Sequence, residues 1–352
     1  MAFIHGGNII SMASDLGLQV DELIDMSSNL SPLGMVPGLR EVLEKGIDQV
    51  AYLPEATSDT LCALFADHNG CLPQQVMAGN GTTDFIYDLP AMAPFKKAVI
   101  VNPTYSDYRL ACDYAGLAWQ SFTLESPDFS IDFSKLARVL EGGELLFICN
   151  PNNPTGHLVP SDVLRAFIKE HPQTTFVIDE SYLPFSKEPS LASGELPENL
   201  FILCSSSKIY GIPGLRLGFL VSTEQNMATI KGRCRPWTVN RLAQLAGEFL
   251  LSQADPYVRE VQAFMDKERA FVVSKLQGMP GLAVVPGVAN FILCRLSNMA
   301  ASQLAEKMLA EKIMIRNCAS FDGLDGSYFR FSLKKAGENR LFLDVLASAL
   351  NN

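Results

Sequence analysis

Between about residue 75 and residue 222 the chain is punctuated by short, nearly unbroken apolar runs at 98–101, 145–149, 175–178, 200–204 and 217–221. Each run stops abruptly in polar residues, and a stretch that suits a helix follows. Runs this short, rich in Val, Ile, Leu and Phe, fit strands covered on both faces by helices. They predict a mostly parallel α/β sheet. Downstream, 242–276 reads as long helix interrupted near Asp255-Pro256, with Val258, Val261, Phe264 and Met265 at helical spacing. After Gly278 the texture changes to short strands at 282–285, 291–293, 313–315 and 328–333 alternating with amphipathic helices. The last helix starts near Glu338 and puts Phe342, Val345, Leu346 and Ala349 on one face. That order predicts a smaller α+β domain beside the large one. The expected division is 1–40 as N-terminal arm and part of the small domain, 41–245 as the large domain, and 246–352 as the small C-terminal domain.

Composition narrows the function classes. Of the 352 residues 48% are hydrophobic and only 19% charged, which favours a large buried core. The formal charge of −10 has the wrong sign for neutralising a phosphate backbone, so nucleic acid is not the expected partner. No apolar run reaches the roughly 18 residues of a membrane span, and the N-terminus has no basic stretch followed by a long apolar core. A cytoplasmic protein is expected. Cys149, Cys204 and Cys294 lie inside apolar runs and no C-x-x-C pair occurs, which fits buried free thiols. His5, His68, His157 and His171 are scattered, without the spacing of a metal site.

In an open parallel sheet, ligands bind beyond the carboxyl ends of the strands. Here the runs end in Asn102-Pro103-Thr104-Tyr105, in Asn150-Pro151-Asn152-Asn153-Pro154-Thr155-Gly156, in Asp179-Glu180-Ser181-Tyr182 and in Ser205-Ser206-Ser207-Lys208. Upstream lies Ala78-Gly79-Asn80-Gly81-Thr82-Thr83-Asp84. Taken singly, each has an ordinary reading as a turn, a helix cap or a solvated loop. Together they supply an aromatic ring, an amide, a carboxylate with a nearby phenol, a lysine with serines, and a glycine-rich turn. Pyridoxal phosphate (PLP) has those needs: an amine for its aldehyde, a carboxylate for its ring nitrogen, and donors for its phosphate. Lys208, Asp179 and the Gly79 turn can meet them, and Arg216 at the start of the next strand can add a charge-assisted contact to the phosphate. A nucleotide-binding regulatory protein built on Gly79-Asn80-Gly81 is a poorer fit, because that stretch lacks both the third glycine of a dinucleotide fingerprint and the Gly-Lys-Ser/Thr of a P-loop.

Asn-Pro-Asn-Asn-Pro-Thr-Gly, Ile-Asp-Glu-Ser-Tyr, Ser-Lys-Ile-Tyr-Gly-Ile-Pro-Gly-Leu-Arg-Leu-Gly and Tyr-Phe-Arg-Phe-Ser follow one another across nearly the whole chain. With them the sequence resembles the fold type I PLP enzymes, in the class I/II aminotransferase superfamily and its histidinol-phosphate aminotransferase branch. The resemblance implies that Lys208 carries the cofactor, that Asp179 pairs with the pyridine nitrogen, and that Asn153 and Tyr182 hydrogen-bond the ring hydroxyl oxygen. It further implies that Tyr105 stacks on the ring. Gly81, Thr82, Thr83, Ser205, Ser207 and Arg216 would hold the phosphate, with Tyr52 reaching in from the partner of a homodimer that shares its active sites. Two more segments, His5-Gly6-Gly7-Asn8-Ile9 and Ile315-Arg316-Asn317-Cys318-Ala319-Ser320-Phe321-Asp322-Gly323-Leu324, look like the threonine-phosphate decarboxylase family of cobalamin biosynthesis. That likeness carries over His5, Arg316 and the Asn29 and Gly34 of Ser27-Ser28-Asn29-Leu30-Ser31-Pro32-Leu33-Gly34 as the substrate-phosphate side of the site, and leaves Arg330 for the substrate carboxylate. The expected reaction is decarboxylation of O-phosphothreonine. The alternative is histidinol-phosphate aminotransferase, which would use the same cofactor residues.

Overall fold

The computed structural model describes residues 6–232 and 235–351. In chain order its strands are β1 (Ile24–Asp25), β2 (Val76–Asn80), β3 (Lys97–Asn102), β4 (Trp119–Thr123), β5 (Glu144–Cys149), β6 (Thr175–Asp179), β7 (Leu200–Ser205), β8 (Leu217–Val221), β9 (Leu282–Val284), β10 (Phe291–Leu296), β11 (Ile313–Met314), β12 (Arg316–Asn317) and β13 (Tyr328–Ser332). Seven of them form the central sheet in the order β2-β8-β7-β6-β5-β3-β4. The neighbours from β7 through β6, β5 and β3 to β4 are parallel, and β8 runs antiparallel to both β7 and β2.

Side chains alternate along a strand, so a sheet covered on both faces must be apolar at every position. Leu145, Phe147 and Cys149 enter one hydrophobic cluster while Leu146 and Ile148 enter the cluster on the opposite face, and Ala98 and Ile100 part from Val99 and Val101 in the same way. This two-sided burial is what the continuous runs encode. The strands that the runs do not reveal are the two edges, β2 and β4. In β4 the sequence Trp-Gln-Ser-Phe-Thr is only partly covered and so keeps polar residues. In β2, Val-Met-Ala-Gly-Asn is buried up to its last residue, but its apolar stretch is cut short by Gly79, whose added Cβ would come within 2.6 Å of the Phe85 ring.

A second sheet, β12-β13-β10-β9, is antiparallel throughout. The chain's N-terminal part joins this end of the molecule, since β1 pairs in parallel with β11. The long helical stretch is two helices, Arg241–Gln253 and Asp255–Leu276, and Pro256 sits in the first turn of the second, where its missing N–H costs nothing. The boundary expected after residue 245 falls inside the first helix. A Cβ at Gly247 would come within 2.7 Å of Leu61 and 2.9 Å of Leu217, so the helix lies tightly on the large sheet, and we propose that the division falls after Gln253 instead. Among the described residues no helix is long and apolar enough to cross a membrane.

Candidate active site

Two adjoining cavities lie at the carboxyl ends of the central strands. One is lined by Gly81, Thr82, Thr83, Tyr105, Tyr108, Cys149, Asn153, Asp179, Ser181, Tyr182, Ser205, Ser207, Lys208 and Arg216. The other is lined by Gly6, Ser27, Ser28, Asn29, Tyr105, Ser106, Asn153, Tyr182, Lys208, Arg316, Ser320, Phe321 and Arg330. Lys208, Tyr105, Asn153 and Tyr182 belong to both, so the lysine stands at the junction.

In the first cavity the turn after β7 delivers the lysine. Ser205 caps the short helix Ser206–Ile209 by accepting the Ser207 N–H at 3.3 Å, and the Lys208 carbonyl accepts the Ser31 N–H at 2.9 Å. Burial, then the nearby Arg216 and Arg330, lowers the Lys208 pKa to about 8, against the attraction of Asp179. An amine held near neutrality is a usable nucleophile at physiological pH. Across from it, Asp179 ends β6 with its Oδ1 accepting the Ser181 N–H at 2.9 Å and its Oδ2 accepting the Tyr108 hydroxyl at 2.7 Å. Burial raises the Asp179 pKa, and the hydrogen bonds from Ser181 and Tyr108 and the charge of Lys208 work against that rise.

The opposite end of this cavity suits an anion. Gly81 adopts φ +76°, and a Cβ there would lie 2.4 Å from Nη2 of Arg216, so glycine lets the guanidinium close on the turn. Arg216 itself sits at φ +59°, a conformation that costs energy for a residue with a side chain, and its Nη2 donates to Thr83 Oγ1 at 3.4 Å. Ser207 Oγ is buried with no hydrogen-bond partner, which marks a donor awaiting a ligand. An amine, a buried carboxylate and a cradle with an unsatisfied hydroxyl therefore fit the aldehyde, ring nitrogen and phosphate of PLP.

The second cavity is assembled from distant parts of the chain. Arg330 on β13 is 4% exposed, and its guanidinium donates to Asn153 Oδ1 and, at 2.7 Å, to the Ser27 carbonyl, while its Nε is buried without a partner. Arg316 on β12 is its cross-strand partner. Like charges directly opposite repel, so the pair is placed at a cost that an anionic ligand would relieve. Arg316 also donates to Ser320 Oγ at 2.9 Å and lies 5.5 Å over the Phe321 ring. The N-terminal segment reaches this cavity: the Gly7 N–H donates to Ser27 Oγ at 2.9 Å, and a Cβ on Gly6 would come within 2.6 Å of the Ser27 carbonyl.

Most of the expected residues line one cavity or both, with exceptions that have physical reasons. Asn29 lines the substrate cavity, but its amide is engaged, Nδ2 donating to Tyr182 Oη at 3.1 Å and Oδ1 accepting from Ser332 at 2.9 Å. Gly34 lines neither cavity. Its carbonyl accepts the Tyr257 hydroxyl at 2.5 Å and would lie 2.5 Å from a Cβ on Gly211, so it braces the turn after Lys208 rather than meeting a ligand. Tyr52 is 72% exposed and also outside both cavities of its own chain. His5 falls outside the described residues. The motifs failed to single out Tyr108, Cys149 and Ser181 on the cofactor side and Ser27, Ser28, Ser106, Ser320 and Phe321 on the other. Several of these sit inside the quoted segments; Tyr108 could have been found one helical turn beyond Tyr105.

A doubly covered sheet with a lysine, a carboxylate and a phosphate cradle at its strand ends defines a fold type I PLP-dependent enzyme. The chain belongs to the class I and II aminotransferase family, whose model matches residues 22–350, and members of that family depend on PLP. It is 32% identical to the threonine-phosphate decarboxylase of Salmonella typhimurium over 98% of this chain and 96% of that one. Identity is also 32% to the histidinol-phosphate aminotransferase of Methanothermobacter thermautotrophicus, over 98% of this chain and 93% of that one. Among solved structures, the L-threonine-O-3-phosphate decarboxylase of Porphyromonas gingivalis superposes with a TM-score of 0.84 at 27% identity, covering 94% of this chain and 100% of that chain.

Proposed function

We propose that the protein is a PLP-dependent carboxy-lyase that converts L-threonine O-3-phosphate to (R)-1-amino-2-propanol O-2-phosphate and carbon dioxide. The observation that carries this reading is the pair Arg316 and Arg330, opposite each other across β12 and β13 and lining one cavity that ends at Lys208. Two cations suit a substrate with two anionic groups. Bound PLP supplies an electron sink for the pair released when a bond to the substrate's α-carbon breaks.

The bond that breaks is the one held perpendicular to the cofactor ring, so the protein's task is orientation. Arg330, anchored on Ser27 and Asn153, takes the carboxylate. Arg316, with Ser320 beside it, takes the phosphate, and the N-terminal segment at Gly6 and Gly7 closes the cavity from the outside. The two grips fix the rotation about the α-carbon. Lys208, with its lowered pKa, returns a proton to that carbon. Asp179 serves the ring nitrogen, and Asn153 and Tyr182 the ring hydroxyl oxygen.

The enzyme is read as a homodimer. Tyr52 stands out at 72% exposure with Ile47, Val50 and Leu53 also exposed, as expected of a segment that covers the partner's cofactor phosphate. Histidinol-phosphate aminotransferase is the second reading, supported by the equal identity to the relative with that activity. Incubation with O-phosphothreonine, and separately with histidinol phosphate plus 2-oxoglutarate, tests the choice. Carbon dioxide from the first and no glutamate from the second is the expected outcome; glutamate without carbon dioxide overturns it.

A further inference from the structure

We propose that Tyr108 is a positioning residue that keeps Asp179 ionised and aimed at the pyridine nitrogen of PLP. The proposal rests on the reading of Asp179 as the partner of that nitrogen and adds a residue that no family motif singled out.

Tyr108 belongs to the helix Asp107–Ala115, one turn beyond Tyr105, and none of its surface is exposed. Its ring cannot swing away. Phe147 of β5 stacks on it at 5.0 Å with an interplanar angle of 14°, and Tyr105 meets it edge-on at 5.8 Å and 82°. The hydroxyl is thereby fixed 2.7 Å from Asp179 Oδ2, while the Ser181 N–H holds Oδ1 at 2.9 Å. Tyr108 on one oxygen and Ser181 on the other pin the carboxylate's plane beside the cavity that all three residues line.

Toward the ionised Asp179, which can only accept, the phenol is the donor. Burial, then the charge of Asp179 and the neighbouring Cys149, raises the Tyr108 pKa well above that of an ordinary phenol, so the hydroxyl keeps its proton. The other titratable groups around the pair are Cys149 near the hydroxyl, Tyr105 at the ring edge, Tyr182 and Lys208 in the same cavity, Glu180 next in sequence and Cys204 on β7, and Cys149 directs its thiol to the Pro151 carbonyl. A proton lying between a carboxylate and a pyridine nitrogen goes to the more basic of the two. Removing one hydrogen bond from a buried carboxylate makes it more basic by about one to two pH units. The proton then moves from the ring to Asp179, and the ring loses the positive charge that makes it an electron sink.

The test uses PLP labelled with nitrogen-15 in the ring, loaded into the wild-type protein, Tyr108→Phe and Phe147→Leu, with the ring-nitrogen resonance followed across the neutral pH range. Tyr108→Phe keeps the ring and its stacking, and circular dichroism checks its fold. The wild type is expected to show a protonated nitrogen and Tyr108→Phe a shift towards the unprotonated position. Phe147→Leu keeps the hydroxyl but loosens the ring that fixes it, so it should melt earlier and move the signal by less than Tyr108→Phe does. An unmoved resonance in Tyr108→Phe, or an equal shift in Phe147→Leu, overturns the role of Tyr108. A wild-type protein that binds PLP with an unprotonated ring nitrogen overturns instead the reading of Asp179, and the proposal falls with it.

Discussion

The cofactor cavity and the substrate cavity share Lys208, Tyr105, Asn153 and Tyr182 and are built in opposite ways. Cofactor-side residues such as Asn153, Asp179, Ser205, Ser207 and Lys208 stand at strand ends or in the turn just after, where the sheet fixes them and the chain keeps them in contiguous motifs. The substrate side is a meeting of remote segments. Arg330 bonds the carbonyl of Ser27 across a sequence separation of 303 residues, and Arg316 comes from β12 and Ser320 from the turn between β12 and β13. Two relatives whose names carry different reactions match this chain at the same 32% identity, so the choice between those reactions turns on the substrate cavity. The halves are linked by two hydrogen bonds, Arg330 to Asn153 and Asn29 to Tyr182, so a substrate gripped on one side reports to residues on the other.

Lys208→Ala is expected to have the largest effect, because the residue belongs to both halves. Loss of proton transfer alone costs roughly 10²–10⁴ in rate, and loss of the covalent link to the cofactor adds to it. Borohydride treatment of the PLP-loaded wild type should fix the cofactor to the chain at Lys208, and the variant should fix none. Lysine-linked cofactor in Lys208→Ala would remove the residue from its role.

Substitutions confined to the substrate half should divide by substrate. A hydrogen bond between charged groups is worth about 1.5–3 kcal/mol, so Arg316→Ala should weaken phosphothreonine binding by roughly one to two powers of ten. Threonine lacks the phosphate and should be little affected, to the extent that it reacts. Arg330→Ala should harm both, since the carboxylate it is proposed to orient is common to them. Equal losses on the two substrates in Arg316→Ala would show that this cavity does not read a phosphate.

Sequence made one half more legible than the other, for a physical reason. A strand end followed by a turn is local, so Asn153, Asp179 and Lys208 can be read without knowing the fold, and five of the seven central strands announce themselves by being apolar on both faces. Edge strands β2 and β4 escape that test, because β4 is only half covered and the apolar stretch of β2 is cut short by Gly79 and Asn80. Gly34 shows the converse limit: it sits in a segment that supplies Ser27, Ser28 and Asn29 to the substrate cavity, yet its carbonyl turns the other way to hold Tyr257. Ser27, Ser28 and Ser106 became visible only through the cavity they share with Arg316 and Arg330.

The smallest expected effect separates the halves by pH. Behind the cofactor cavity Glu180 is 3% exposed, accepting from Ser190 Oγ at 2.5 Å and the Leu191 N–H at 2.8 Å. Burial raises its pKa to about 7, with Ser190, Leu191 and Arg165 opposing and Asp179 adding to the rise. Unfolded, the same carboxyl titrates near its ordinary 4.5. Between these values the folded protein holds a proton that the unfolded chain has released, so Glu180's contribution is complete below the unfolded pKa and is lost as pH rises through the folded one. Glu180→Gln keeps the shape and an acceptor but cannot titrate. Its melting temperature should therefore fall less than the wild type's over that interval, by on the order of a few degrees. His157, whose pKa burial lowers, acts with the opposite sign in an overlapping range, but it is common to both proteins and cancels in the difference. Arg316→Ala, on the substrate side, should leave the wild-type slope unchanged. Parallel melting curves for wild type and Glu180→Gln would mean that Glu180 is already ionised in the folded state, with Ser190, Leu191 and Arg165 outweighing its burial.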